Sequence, residues 1–268
     1  MSPIAGARPL RVAIFQCEAR DEGASPRLAR LDRAMERLAG GGVDLVVCPE
    51  LFLSGYHVGD RITAFAQPAD GSLMRRVASL AAKWRSAIVC GYPERGGERL
   101  HNAAACFDRH GRLIANHRKV HLPNNFERAC FTPGSAPTVF TLDGHRLALL
   151  ICYEMEFPEA VRGVAATGAE VVIVPTALSA EWAFVARKMA PTRAFENGLF
   201  LLYANYAGHE GGVRYLGESV IVAPDGEELA RAGGGETTIR ATLDPLRISA
   251  ARKALAYLDD RASLAGPR

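Results

Sequence analysis

The sequence predicts a single α/β domain that spans residues 1–268. Short β-rich runs alternate with segments whose apolar residues recur at helical spacing, which is the pattern of strands and helices taken in turn. The run VDLVVCPE (43–50) is largely apolar instead of alternating, as expected of a strand buried on both faces. Since no linker, repeat or low-complexity segment divides the chain, its length suits one large domain.

The first half of the chain predicts strands and helices in alternation. RVAIFQ (11–16) is expected to form a strand, and residues 26–39 a helix, because the apolar residues of the latter share one helical face. The glycines at 40–42 end that helix. The other predicted elements of this half are the strand at 43–50, a helix at 72–84, a strand at 86–92, and strands at about 102–108 and 112–118 joined by a turn at 108–111.

The second half begins with an irregular loop at 119–136, predicted from its prolines and its two adjacent asparagines. Pro158 is expected to open a helix that runs to about Ala166, because proline is tolerated in a first helical turn. The other predicted elements are strands at 145–152, 170–175 and 199–205, a helix at 181–196, strands within 217–224 and 237–243, and a short polar C-terminal segment.

Composition and charge exclude several classes of function. The formal net charge is only +3 and the basic residues are scattered, so we expect neither a nucleic-acid partner nor a membrane partner. The N-terminus lacks a signal-peptide pattern and no apolar run approaches the roughly 20 residues that span a bilayer, which predicts a cytoplasmic protein. The six cysteines show no metal-binding spacing and are expected to be reduced thiols. No phosphate-binding GxxxxGK(S/T) or GxGxxG pattern is present.

Three polar residues stand where predicted buried strands end: Glu50, Lys119 and Cys152. Ligands gather at the carboxyl ends of strands in α/β folds, so these side chains could converge. Their chemistry is coherent, because a thiolate can attack a carbonyl carbon while a carboxylate carries its proton to the leaving group. An ammonium group and a backbone N–H near the cysteine would stabilise the developing oxyanion.

Each of these residues also has a simpler interpretation. A cysteine at a strand end is more often inert and buried, a lone glutamate can cap a helix, and a lone lysine is usually a solvated surface residue. The residues alone leave these alternatives open, because a sequence does not show geometry.

Three ordered segments resemble the signatures of the nitrilase superfamily of carbon–nitrogen hydrolases: VCPELFLSGY (47–56), HRKVHLPNNFERACFTPG (117–134) and LLICYEMEFPE (149–159). The resemblance implies a four-layer αββα sandwich that assembles into homodimers or larger homo-oligomers and needs no metal or organic cofactor. It further implies that Glu50 is the general base, that Lys119 stabilises the tetrahedral intermediate, and that Cys152 forms an acyl thioester. Glu127 falls on the second glutamate of the family, which helps to position substrate and base; its alternative role is a loop salt bridge with a neighbour such as Arg128.

Further segments resemble bacterial aliphatic amidases, and most closely 5-aminopentanamidases. They are VCPELFLSGYHVGD, IVCGYPERGG, ICYEMEFPE, LLYANYAGHEGGVRYLGES (201–219) and ARKALAYLDD. The loop HLPNN departs from that pattern close to the presumed entrance. Hydrolysis of a nitrile, an N-carbamoyl amine or the ω-amide of a keto acid stays possible on the same scaffold, as does a non-catalytic scaffold protein.

Four more side chains are candidates for contact with substrate: Tyr56, Tyr153, Glu156 and Trp182. The acidic Glu156 stands where some relatives that bind N-carbamoyl amino acids have an arginine, so it would disfavour an anionic substrate and favour a cationic one. Its alternative role is a structural ion pair with Arg162 or Arg193.

Other polar and aromatic residues also have structural interpretations. Trp182 and Phe184 could shape the acyl pocket, although aromatic residues on a helix more often belong to a core or an oligomer interface. We expect Arg193, Glu196 and Asn197 to form a structural polar cluster, and His121 to make hydrogen bonds within its loop.

Overall fold

Two mixed sheets form the centre of the molecule within residues 8–264, the part of the chain that the computed structural model describes. In chain order the strands are β1 (Leu10–Gln16), β2 (Glu18–Ala19), β3 (Leu45–Val47), β4 (Ala87–Gly96), β5 (Arg99–Phe107), β6 (Leu113–Arg118), β7 (Thr138–Leu142), β8 (His145–Leu149), β9 (Val171–Pro175), β10 (Phe200–Ala204), β11 (Ala207–Glu210), β12 (Val213–Arg214), β13 (Val220–Val222), β14 (Glu228–Arg231) and β15 (Thr237–Leu243). One large sheet has the order β15-β1-β3-β4-β5-β6 and the other β14-β13-β10-β9-β8-β7, while β12, β11 and β2 form a small third sheet.

Helices cover the outer faces of these sheets. The α-helices are α1 (Ala24–Leu38), α2 (Ile62–Phe65), α3 (Ser72–Trp84), α4 (Asn125–Cys130), α5 (Pro158–Ala166), α6 (Ala190–Asn197), α7 (Pro245–Ala254) and α8 (Tyr257–Leu264). Short 3-10 turns lie at Ala39–Gly41, Gly59–Arg61, Cys152–Glu156 and Ala180–Trp182, and a π-helical turn lies at Val185–Met189. Among the helices of residues 8–264, none is long and apolar enough to cross a membrane.

The alternation of side chains along the strands produces the layers. Val12 of β1 and Leu147 of β8 point into one core, which therefore separates the two large sheets. Ala13, on the other face of β1, packs with apolar residues of α1 and α3. Ala148, on the other face of β8, packs with those of α5 and α6. The predicted α/β class and the αββα sandwich are thus confirmed.

Several predicted elements are confirmed closely. The helix predicted at 72–84 is α3, and Pro158 opens α5, which ends at Ala166 as expected. The two strands at about 102–108 and 112–118 are β5 and β6, an antiparallel pair around the predicted turn. These elements carry their own signals, namely amphipathic spacing, a helix-starting proline and turn residues.

Two strands are shorter than the sequence predicts. The strand expected at 43–50 is only Leu45–Val47, because Pro49 has no N–H to donate to a neighbour and the chain turns away at Glu50. The strand expected at 145–152 ends at Leu149, so the prediction that Cys152 closes a strand is wrong. Cys152 instead begins a 3-10 turn that follows β8.

Three other segments also differ from prediction. The loop expected at 119–136 contains α4, which Asn124 caps by accepting a hydrogen bond from the Glu127 N–H. The helix expected at 181–196 is broken into 3-10, π and α pieces, since Pro191 cannot donate to the preceding turn and the Ala190 N–H bonds back to the Val185 carbonyl. The C-terminal segment forms α7 and α8.

Candidate active site

The first group of site residues follows strands that run in the same direction. β3 is parallel to its neighbour β4. β4 and β6 both pair antiparallel with β5, so β6 runs in the same direction as β4 and β3. Glu50 therefore leaves the sheet at the same edge as Lys119, which comes directly after β6. This edge is formed by carboxyl ends of strands, where α/β folds place their ligands.

The backbone of Glu50 lies against a glycine on the next strand. A Cβ atom on Gly91 of β4 would come within 2.5 Å of both the Pro49 carbonyl oxygen and the Leu51 nitrogen. Only glycine permits this close approach. The Glu50 N–H also donates to the Thr176 carbonyl at 3.3 Å, which ties the residue to the end of β9 in the second sheet. Glu50 is thus fixed where the two sheets meet.

Lys119 is the centre of a buried charge cluster. Its Nζ donates to Glu50 Oε1 and to Glu127 Oε1, both at 2.7 Å. The side chains of all three residues are fully buried. Glu127 therefore forms an ion pair with Lys119, and not the surface salt bridge with Arg128 that was its alternative role. Asn102 completes the cluster by donating from Nδ2 to Glu50 Oε1 at 2.7 Å and to Glu127 Oε2 at 3.3 Å.

The cluster shifts the pKa values of Lys119 and Glu50. Burial alone would lower the pKa of Lys119, but the charges of Glu50 and Glu127 outweigh it and hold that pKa above its usual value, so the amine stays an ammonium. Burial raises the pKa of Glu50, which the Lys119 ammonium and the Asn102 amide oppose only in part. Glu50 Oε2 is buried without a hydrogen-bond partner among the described residues, so it is free to receive a proton.

Cys152 stands on a sharp turn after β8. Its φ angle is +50°, a left-handed conformation that is uncommon for a residue with a side chain. Such strain persists only where the surroundings hold it. Glu154 provides that restraint, because its Oε2 accepts hydrogen bonds from the Ile151 N–H at 2.6 Å and from His117 Nε2 at 2.8 Å.

Glu154 also connects the cysteine turn to the lysine segment. Its Oε1 accepts a hydrogen bond from the Val120 N–H at 2.8 Å, one residue beyond Lys119. The carboxylate is buried, and although burial raises its pKa, the His117 partner and the two backbone N–H groups bring the pKa below its usual value. The ionised Glu154 side chain therefore fixes the position of Cys152 relative to Lys119.

The resting form of Cys152 is the thiol. Burial raises the pKa of the Cys152 thiol, and the Glu50 carboxylate raises it further. The Lys119 ammonium, together with hydrogen bonds from Thr176 and from the Ala177 N–H, lowers the pKa by less than these effects raise it. Because both Glu50 and Lys119 act on the pKa of the thiol, Cys152 lies near the charge cluster.

Tyr56 lies inside this site. It is buried, and its hydroxyl donates to Glu127 Oε1 at 2.6 Å and accepts from Asn124 Nδ2 at 2.9 Å. Asn124 belongs to the HLPNN loop, whose departure from the amidase pattern thus supplies a residue that caps α4 and bonds the tyrosine. The contact of Tyr56 is with a catalytic candidate, and contact with substrate stays a prediction.

Glu156 and Tyr153 lie on the cysteine turn and are partly exposed. Within residues 8–264, the Glu156 carboxylate has no hydrogen-bond partner, because Arg193 bonds the backbone oxygens of Met155 and Glu156 and the carboxylate of Glu196. Burial raises the pKa of Glu156, while the charges of Lys119 and Arg193 oppose that rise. Tyr153 packs edge-on against Phe157 with ring centroids 4.9 Å apart.

Among the other sequence candidates, two are exposed and the rest pack against or bond neighbouring residues. Trp182 is 60% exposed and Phe184 68% exposed, so neither belongs to the core of the chain. His121 stacks on Phe157 at 4.6 Å between ring centroids, and the hydrogen bonds expected of it within its loop are not formed with the described residues. The polar cluster predicted in α6 is confirmed by the Arg193–Glu196 ion pair at 3.0 Å and by the bond from Asn197 Nδ2 to the Arg193 carbonyl.

Sequence reasoning missed Asn102, Glu154 and Thr176. Asn102 stood in the sequence as the first residue of a predicted strand, and Glu154 as one of three acidic residues after Cys152. The available signal for Asn102 was a polar residue at the start of a predicted apolar strand. Nothing local marks the distant partners of Glu154, since His117 lies 37 residues away and Val120 lies 34 residues away in the chain.

Comparisons with known proteins agree with this geometry. The model of the family described as carbon–nitrogen hydrolase matches residues 11–253. The chain therefore belongs to the carbon–nitrogen hydrolase family, which is the nitrilase superfamily that the sequence resembles.

Individual relatives cover nearly the whole chain. A protein of Pseudomonas protegens called "Hydrolase in pqqF 5'region" is 41% identical over 262 residues, which are 96% of this chain and 91% of that protein. An (R)-stereoselective amidase of a Pseudomonas species is 34% identical over 253 residues, covering 94% and 91%. A cysteine-to-alanine mutant of the amidase of Nesterenkonia sp. AN1, solved in complex with butyramide, superposes with a TM-score of 0.85 at 34% identity over 97% of both chains.

The fold, the site and these relatives define the class of enzyme. The site offers a thiol, a carboxylate with a free oxygen and a fixed ammonium, which are the groups needed for acyl transfer through a cysteine. The chain is a cysteine-dependent carbon–nitrogen hydrolase of the amidase type.

Proposed function

We propose that the enzyme hydrolyses small aliphatic primary amides to a carboxylate and ammonia, with preference for an ω-amino amide such as 5-aminopentanamide. The single observation that carries the preference is the Glu156 carboxylate, which lies four residues after Cys152 and has no hydrogen-bond partner among residues 8–264. A relative of the same fold is an amidase solved with butyramide, a small aliphatic primary amide. This relative supports the amide chemistry but carries no information on charge.

In the proposed reaction, Glu50 takes the proton of the Cys152 thiol as the sulfur attacks the amide carbon. The raised pKa of the thiol means that proton transfer accompanies the attack, and the unpartnered Oε2 of Glu50 is available as its acceptor. The Lys119 ammonium stabilises the oxyanion of the tetrahedral intermediate. Collapse of this intermediate breaks the C–N bond, and Glu50 returns the proton to the departing ammonia.

The second half of the reaction repeats these roles with water. Glu50 takes a proton from water, which attacks the carbonyl carbon of the Cys152 thioester. The C–S bond breaks, the thiol regains its proton, and the carboxylic acid is released and ionises. Glu127 shares the Lys119 ammonium with Glu50, so it keeps that group fixed while the charge on Glu50 changes.

Charge supports the choice of a cationic substrate. Glu156 is close enough to Lys119 for the ammonium to lower its pKa, which supports a carboxylate near the catalytic cluster. Its alternative partners do not bond it, because the donors of Arg193 go elsewhere and Arg162 Nη1 is buried without a hydrogen-bond partner among the described residues. An unpaired carboxylate near the reacting groups favours an ammonium ligand and disfavours an anionic one.

The test compares two substrates that differ only in the amino group. We expect ammonia release from 5-aminopentanamide to exceed that from pentanamide in kcat/KM, with the Cys152→Ala protein as the blank. In Glu156→Gln the preference should disappear while the rate on pentanamide stays close to that of the wild type. Equal rates in the wild type would discard the role of Glu156 and keep the amidase chemistry. No ammonia from either amide would favour a nitrile, an N-carbamoyl amine or a keto-acid amide as substrate.

We further propose that the enzyme works in the cytoplasm as a homodimer or a larger homo-oligomer. All six cysteines are free thiols, which suits a reducing compartment. The exposure of Trp182 and Phe184, at 60% and 68%, supports an interface on this side of the molecule. Light scattering coupled to size-exclusion chromatography should give a mass above the monomer, and Trp182→Ser with Phe184→Ser should lower it.

A further inference from the structure

The β11–β12 hairpin lies in the segment 201–219, one of those that resemble bacterial aliphatic amidases. Its residue Glu210 is buried and pairs with Arg27 of α1, with 2.9 Å between Arg27 Nη2 and Glu210 Oε1. The side chains are 0% and 2% exposed, respectively. Removing two charges from water costs free energy. The small sheet β12-β11-β2 does not by itself account for an ion pair that is buried so completely.

The second oxygen of Glu210 holds the backbone of the loop that follows Glu50. Oε2 accepts hydrogen bonds from the Tyr56 N–H and from the His57 N–H, both at 2.8 Å. The hairpin tip touches the same loop, since a Cβ atom on Gly211 would lie 2.7 Å from both Cβ and the carbonyl oxygen of His57. The hairpin is therefore in van der Waals contact with the loop and hydrogen-bonded to it.

The loop in turn delivers a hydroxyl group to the charge cluster. The Tyr56 hydroxyl donates to Glu127 Oε1 at 2.6 Å, and Lys119 Nζ donates to the same oxygen at 2.7 Å. The backbone position of Tyr56 thus decides whether its hydroxyl reaches that oxygen. A continuous path of short contacts runs from Arg27 through Glu210 and Tyr56 to Glu127.

We propose that Glu210, paired with Arg27, is a positioning residue for amide hydrolysis, which holds Tyr56 so that its hydroxyl and the Lys119 ammonium share one oxygen of Glu127. Glu210 touches no reacting atom and acts through Tyr56. This role gives the segment 201–219 a function in the site. It rests on the amidase chemistry but not on the choice of a cationic substrate.

The test is a double-mutant cycle between Glu210→Gln and Tyr56→Phe, measured as kcat/KM for ammonia release from pentanamide and from 5-aminopentanamide. Tyr56→Phe removes a hydrogen bond to a charged acceptor, so we expect a fall of about ten- to a hundredfold. Glu210→Gln should cause a fall of similar order. If Glu210 acts through the Tyr56 hydroxyl, the double variant should be little worse than the poorer single variant.

Asp44→Asn is the matched control. Asp44 is also a buried carboxylate that accepts bonds from arginine side chains and from a backbone N–H, but it lies at the amino end of β3, opposite to Glu50. Its variant should leave kcat/KM unchanged and add nothing to the effect of Tyr56→Phe. Assays run below the melting temperature of each variant keep loss of fold separate from loss of activity.

Glu210→Gln leaves Arg27 buried without its partner, so Gly211→Ala provides a second route if the first variant does not fold. The added methyl group would displace the loop at His57 and strain the left-handed backbone of residue 211 (φ +56°), while both charged side chains of the ion pair are kept. The same lack of additivity with Tyr56→Phe is expected. Multiplicative effects in the cycle, or a Glu210→Gln enzyme with wild-type kcat/KM, would overturn the proposal and leave Glu210 as a purely structural residue.

Discussion

Replacing Asn102 by leucine should move the acid limb of the pH profile for kcat/KM to higher pH. Asn102 Nδ2 donates to Glu50 Oε1 at 2.7 Å, a bond that the ionised form of the carboxylate strengthens. A hydrogen bond to a charged group contributes about 1.5–3 kcal/mol. Because one pKa unit corresponds to about 1.4 kcal/mol, loss of the donor should raise the pKa of Glu50 by about 1–2 units.

Besides the bond to Glu50, the substitution removes one longer bond, which Asn102 Nδ2 donates to Glu127 Oε2 at 3.3 Å. The Asn102 Oδ1 atom is buried and has no hydrogen-bond partner among the described residues, so removing it leaves no donor unpaired. The backbone carbonyl of residue 102 keeps its bond to the Lys119 N–H at 2.8 Å. Leucine also preserves the approximate volume of the side chain.

The assay is ammonia release from an aliphatic amide as a function of pH, for the wild type and the variant. At pH values below both acid limbs, kcat/KM of the variant should be about ten- to a hundredfold lower, and at high pH the two enzymes should converge. The control is Asn197→Leu, since Asn197 is another buried asparagine with an unpartnered amide oxygen in the described part of the chain. A uniform loss at every pH, with the acid limb unmoved, would refute the reasoning that Asn102 sets the charge of Glu50.

Three further outcomes are expected. The preference for 5-aminopentanamide over pentanamide should fall as the pH drops through the pKa of Glu156, which burial raises above its usual value. The measurement is the ratio of the two kcat/KM values at each pH. A ratio that does not change with pH would contradict this prediction. Limiting iodoacetamide should alkylate Cys152 ahead of Cys130, the other partly exposed thiol, because Glu50 can accept its proton; peptide mapping that finds Cys130 first would contradict this. Asp44→Asn should lower the free energy of unfolding at neutral pH by about 1–3 kcal/mol. Although burial raises the pKa of Asp44, hydrogen bonds from two arginines hold it far below its usual range. That stabilisation is present above the unfolded pKa of about 3.9 and is lost as the pH falls toward the folded value, so urea titrations should show a difference that shrinks in acid.

Much of the architecture could be predicted from the sequence because its signals are local. The helix at 72–84 has amphipathic spacing, and Pro158 marks a helix start wherever it is placed in the fold. The proximity of Glu50, Lys119 and Cys152 could be suggested from residue chemistry and from apolar runs that end near each of them, but the residues alone left simpler interpretations open and Cys152 does not end a strand.

The remaining features depend on partners that are distant in the chain. Asn102 bonds a carboxylate 52 residues away, and Glu210 bonds a backbone group 154 residues away. The strand expected to end at Cys152 stops earlier because Glu154 captures the Ile151 N–H, a side-chain effect that overrides the β-propensity of the run LALLIC. The break in the helix expected at 181–196 follows from Pro191, which lacks the N–H that a continuous helix needs at this position.

The central claim is that Cys152 carries the acyl group during turnover. To test this, the enzyme is quenched with acid while it hydrolyses butyramide and is then digested with trypsin. Mass spectrometry gives the mass of the peptide LALLICYEMEFPEAVR (147–162), in which Cys152 is the single cysteine. We expect a fraction of this peptide to be heavier by one butyryl group. The Cys152→Ala protein should show neither the adduct nor ammonia release. An acyl group on another peptide, or ammonia release by Cys152→Ala, would contradict it.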